Sequence, residues 1–81
     1  MKGTIEKINA QRGMVAVKTP SGYSVFEIVS GEFNVGDEVS WQGDKPLGSA
    51  EINNLTCGER ESVYFQNHDV SQGNLNGQLL Y

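Results

Sequence analysis

Few side chains in this sequence could carry reaction chemistry, and they do not converge. His68 is the only histidine and Cys57 the only cysteine. Asp69 adjoins His68, but neighbours in an extended chain point to opposite faces, so the two are not arranged as a base and its orienting carboxylate. A single histidine in a polar stretch, here read as a turn over Asn67 to Ser71, is expected to be a solvated side chain. Glu59 and Glu61 can share a strand face, yet nothing beside them would tune either as an acid. The chain has no phosphate-cradling glycine loop, no nucleophile elbow and no second cysteine or histidine for a zinc site. Its acids do not follow the spacing of a calcium loop. These absences point to a non-enzymatic protein with no cofactor and no metal.

Binding chemistry is better represented. Lys7, Arg12 and Lys18 supply cations suited to phosphates, and Met14, Tyr23 and Phe26 supply flat or polarizable surface suited to nucleobases. Residues 1–26 hold four basic side chains against one acid, whereas residues 27–81 hold two against nine, for a net charge of −4. The acidic whole repels a polyanion, while the first third could still attract one locally.

The elements that must position these residues are short. Eighty-one residues with ten glycines and two prolines make one domain with many turns. Residues 2–9 read as a first strand. Ile5 and Ile8 break strict alternation, which a bulge near Glu6-Lys7 would reconcile. Residues 14–18 form a second strand with Val15 and Val17 on one face. Pro20-Ser21-Gly22 is a turn, and a third strand runs from about Tyr23 to Val29. Ser30 to Gly36 is a glycine-containing connection too short for a good helix. Asp37 to Gln42 forms a fourth strand with Val39 and Trp41 on one face. Residues 48–55 form a fifth, anchored by Ala50, Ile52 and Leu55. Ser62-Val63-Tyr64-Phe65 has strand character, and Ser71 is placed to cap a short helix carrying Leu75, Leu79 and Leu80. No apolar run is long enough to span a membrane as a helix and no leader is visible, so with one unpaired cysteine the expected location is the cytoplasm.

Residues 1–55 resemble a cold-shock domain. Gly3-Thr4-Ile5-Glu6-Lys7-Ile8-Asn9 and Arg12-Gly13-Met14-Val15-Ala16-Val17 are similar to that family's G-T-V-K-W-F-N and K-G-F-G-F-I. Thr19-Pro20, Val25-Phe26, Gly36-Asp37-Glu38-Val39-Ser40-Trp41 and Gly48 to Leu55 follow in the family's order. The resemblance implies an all-β, five-stranded OB-type barrel over 1–55 that binds single-stranded RNA or DNA by stacking bases on aromatics of its strand 1–3 face. It departs from the pattern at those aromatics: Lys7, Met14, Ala16, Ile28 and Val29 stand where the family has rings. Each lost stack removes about 1–3 kcal/mol per base, so the binding implied here is weak.

Strand three admits two registers. Exposing Phe26 as the family does turns Glu27 inward without a partner, at high cost. The alternative buries Phe26 and Ile28 and exposes Tyr23, Val25 and Glu27, which makes Tyr23 the stacking side chain. A one-residue slip separates the two. Residues 56–81 lie beyond the resemblance. They are expected to form an extension, an extra strand and a short helix, that packs on the barrel or on a partner. Its apolar residues between 63 and 81 are the basis of the alternative function, a protein-interaction or oligomerisation module.

Overall fold

The computed structural model describes residues 1–75 and 77. Lys2–Asn9 (β1), Met14–Thr19 (β2), Gly22–Ile28 (β3), Glu38–Ser40 (β4), Gly48–Asn54 (β5) and Glu59–Val70 (β6) form a closed antiparallel barrel. Its strand order is β1-β2-β3-β6-β5-β4, with β4 returning to β1. The all-β barrel is as expected, with six strands in place of five. The sixth is the segment expected outside the barrel. β6 is the longest strand; it pairs with β3 from Tyr23 to Ile28 and, over Glu59 to Phe65, with the whole of β5. Ladder groups of both neighbours that would otherwise lack partners are satisfied by this one strand.

Alternation sets the interior. Ile5, Val15, Val17, Phe26, Val39, Ile52, Val63 and Phe65 point inward and meet Phe33 and Trp41. Phe26 packs edge-on against Phe33 and Phe65, with ring centroids 5.4 and 5.6 Å apart. Such pairs add to what burial alone contributes. The expected irregularity in β1 is present: pairing with β2 shifts between Ile5 and Lys7, which keeps both Ile5 and Ile8 on the core side. Leu55, expected as an anchor, instead lies exposed in the β5–β6 turn. The exposed Cys57 lies in the same turn.

A buried polar pair ties that turn to the β3–β4 connection. Asn54 is 1 % exposed; its amide donates to Asp37 at 2.9 Å, and its carbonyl accepts the Thr56 and Cys57 amides. Asp37 also accepts the Asn34 amide. β6 continues through residues 67–70, where a turn was expected; a 3-10 turn, Gln72–Asn74, follows it, and Leu75 and Gly77 are helical. The Ser71 side chain makes no capping bond, contrary to expectation. Leu79, Leu80 and Tyr81 lie outside the described residues. Among those described, no helix is long and apolar enough to cross a membrane.

Candidate binding face

Strand register places five of the six expected contact residues on or beside one outer surface. Across β1, β2 and β3 the outward rows are Thr4–Lys18–Tyr23, Lys7–Ala16–Val25 and Asn9–Met14–Glu27. Arg12 sits in the β1–β2 turn at the edge of this surface, where its amide donates to Asn9. The sixth residue, Phe26, is completely buried in the barrel. It takes the inward register because the outward one would have put Glu27 into the core; Glu27 is exposed. Phe26 therefore cannot stack on a ligand.

Tyr23 and Val25 face outward as the preferred register requires, but neither is exposed. Tyr23 is 7 % exposed. Val70, opposite Tyr23 on β6, and Leu75 just past the 3-10 turn pack with Ala16, Tyr23 and Val25 into a second apolar cluster outside the barrel. Met14 packs at its margin and stays half-buried. The chain's own tail thus covers the surface on which the cold-shock resemblance places bases. Sequence parity shows which side chains point outward; it carries no information on what lies over them.

Between β1 and the tail runs a groove of about 420 Å³, lined by Glu6, Lys7, Tyr23, Val35, Gln72 and Leu75 among others. The Tyr23 hydroxyl donates to Glu6. That bond, aided by burial and by the nearby carboxylate charge, raises the Tyr23 pKa above its ordinary 10.0. Glu6 owes its outward position to the β1 bulge, and sequence reading missed it as a contact. The electrostatics are mixed. Lys2 pairs with Glu38, Lys45 with Asp69 and Arg60 with Glu51. Lys18 is exposed and forms no ion pair among the described residues. Glu6 and Glu27 lie among the cations of the face, so the excess of positive charge in residues 1–26 is diluted in space.

His68 is not a solvated turn residue. It lies in β6, half-buried, with its ring stacked on Phe65 at 5.0 Å. Nε2 lies 2.5 Å from the Pro46 carbonyl, which can only accept, so Nε2 carries the proton. In the neutral ring Nδ1 then accepts from Ser24 Oγ at 2.8 Å. This Ser–His contact is not a nucleophile and its base, because Ser24 is 3 % exposed and Nε2 is held by a backbone carbonyl rather than a carboxylate. Beside it Lys45 meets Asp69 at 2.5 Å. The Lys45 hydrogen bond holds the Asp69 carboxyl below its usual range, and the same bond raises Lys45. Asp69 has φ +56, a local kink that sends its side chain outward beside inward His68. Together the two contacts tether the β4–β5 loop to the end of β6. Among the described residues, no group of histidines, cysteines and acids could hold a metal. No protein-family model, curated protein or solved structure matches the chain.

Proposed function

We propose that this is a non-enzymatic binding barrel of the OB type that takes single-stranded nucleic acid, weakly and with little sequence preference, on the outer face of β1–β3. The observation that carries the reading is the convergence of Lys7, Arg12, Met14, Lys18 and Tyr23 on one side of the barrel. Cations at the rim meet phosphates, and half-buried Met14, at the margin of the cluster that covers Tyr23, offers polarizable surface to a base. Glu6 and Glu27 keep the attraction modest.

The test is a titration of labelled oligo-U and oligo-dT at low salt. The expected dissociation constant is on the order of tens of micromolar, falling off with salt at a slope of about −2 for three phosphate contacts on a single strand. Lys18→Glu is expected to weaken binding about equally for both oligomers and to flatten that slope by about one. No binding at tens of micromolar, on the order expected for non-specific contacts, sinks the reading.

The alternative, a module that joins a protein partner or a second copy through residues 63–81, has less support. Val63, Phe65, Val70 and Leu75 are all spent inside the molecule, leaving Tyr64 as the outward ring of β6. The exposed Val29, Val35, Leu47, Leu55 and Tyr64 are spread over the β3–β4 connection, the β4–β5 loop, the β5–β6 turn and β6. A concentration-dependent mass in light scattering, with no oligonucleotide binding, would favour it.

A further inference from the structure

We infer that Tyr64 on β6 is the ring on which a single-stranded ligand stacks a base. The inference rests on the binding face proposed above and extends it past β3, to a strand outside the cold-shock resemblance. That face holds cations and half-buried Met14 but no exposed ring, since Tyr23 and Phe26 are buried. Strand register supplies one. Met14 lies opposite Glu27, Glu27 opposite Tyr64, and Tyr64 opposite Ser49, in a single outward row across β2, β3, β6 and β5. Adjacent strands are about 4.8 Å apart, so Tyr64 is two strand spacings from Met14 on the same surface. Tyr64 is 45 % exposed, and among the described residues every other tyrosine, phenylalanine and tryptophan is buried.

The ring is supported by the barrel and still open to a ligand. It lies against Gly48, where an added Cβ would meet its Cε2 at 3.9 Å. Such support limits the motion of the ring, so less freedom is lost when a base settles on it. No ring among the described residues stacks on Tyr64, and its hydroxyl makes no hydrogen bond to them. A groove of about 490 Å³ adjoins it, lined by Val29, Ser49, Glu51 and Ser62 among others. Ser49 is directly opposite Tyr64, and Ser62 is two residues before it on the same face. Their hydroxyls can bond the edge of a base, and exposed Val29 gives the groove an apolar wall. The charges at this end are acidic: Glu27 is exposed in the row, and Glu51 pairs with Arg60. Phosphates are not drawn here. Tyr64 contributes stacking, which every base can provide, while the cations of β1 and β2 contribute the charge.

The test titrates wild-type, Tyr64→Phe and Tyr64→Leu full-length chains with labelled oligo-U at low salt. Near-UV circular dichroism of the buried Trp41 reports whether each barrel is intact. Tyr64→Leu is expected to bind about fivefold more weakly or worse, the loss of one stacked base. Tyr64→Phe keeps the ring and is expected to stay within about twofold of wild type. The salt slope is expected to be the same in all three, because no cation has changed. In the wild-type chain, where no variant is needed, the Tyr64 ring-proton resonances are expected to move upfield on titration. Binding that leaves those resonances in place, or equal affinity in wild type and Tyr64→Leu, overturns the stacking role and leaves the binding face standing. An equal loss in Tyr64→Phe and Tyr64→Leu also overturns it, since the hydroxyl and not the ring would then hold the ligand. Loss of binding to an oligo-lysine peptide in Tyr64→Leu, with oligo-U unaffected, overturns it in favour of a basic protein partner. If no intact barrel binds oligo-U, the nucleic-acid reading falls and the inference falls with it.

Discussion

A tyrosine that faces outward would ordinarily titrate like a free phenol, and Tyr23 does not. Its bond to Glu6 favours the neutral phenol, so its folded pKa stands above 10.0. A raised value means that the folded state holds its proton longer than the unfolded chain. The stabilisation is therefore complete below pH 10.0 and is lost as pH rises through the folded value. Alkaline titration of tyrosinate absorbance is expected to show a late-ionising step that Tyr23→Phe removes. Asn54 serves stability instead. Its amide is a buried partner of Asp37 and its carbonyl gathers two amides of the β5–β6 turn. Asn54→Ala leaves those groups unsatisfied and is expected to cost about 2–3 kcal/mol, read as a lower urea midpoint with an unchanged slope. Neither contact was legible in the sequence. The bulge that turns Glu6 toward Tyr23 was expected, but its hydrogen-bonding consequence depends on which strand lies alongside. Asn54 and Asp37 are 17 residues apart, and nothing local marks them as a pair.

Among the elements, β1 to β5 were legible because apolar positions lie between turn signals, although β1 needs a bulge to restore alternation, β3 left two registers open and Leu55 falls outside β5. Val15 and Val17 inward, Val39 and Trp41 inward, and the bulge of β1 were all readable on that basis. β6 was read only over Ser62 to Phe65, and its continuation to Val70 was missed for a physical reason. It continues through Asn67, His68 and Asp69, residues of low strand propensity, because tertiary contacts hold them there. His68 stacks on Phe65 and bonds to Ser24 and Pro46, and Asp69 takes a left-handed backbone to reach Lys45. The Lys45–Asp69 tether has a defined pH window. Asp69 is held below 3.8, so its contribution is present above that value and is lost as pH falls through the folded pKa. Lys45 is raised above 10.5, so its contribution is present below that value and fades as pH rises further. Asp69→Asn keeps a residue that tolerates positive φ and removes the charge. Its thermal midpoint is expected to lie below wild type at neutral pH, and the two are expected to converge on acidification below 3.8.

At the scale of the molecule, the barrel cannot close without β6. Residues 1–55 carry the whole cold-shock resemblance, yet they leave β3 and β5 without the strand that joins them. A chain ending at Cys57 also lacks Val63 and Phe65 from the core and Val70 and Leu75 from the outer cluster. It is expected to show no cooperative thermal transition by circular dichroism, whereas the full chain melts in one step. A sharp transition in the shortened chain would show that 1–57 closes on itself by a different pairing. The position of β6 also orders events during synthesis. Following β3 and β5 in the sequence, it leaves the ribosome after both partners it joins. Until then the nascent chain presents two unpaired edges, on β3 and β5, of the kind that recruit other extended chains. Closure must therefore wait for β6 to emerge, and a translating ribosome stalled before Glu59 is emerging would hold a protease-sensitive chain and no barrel.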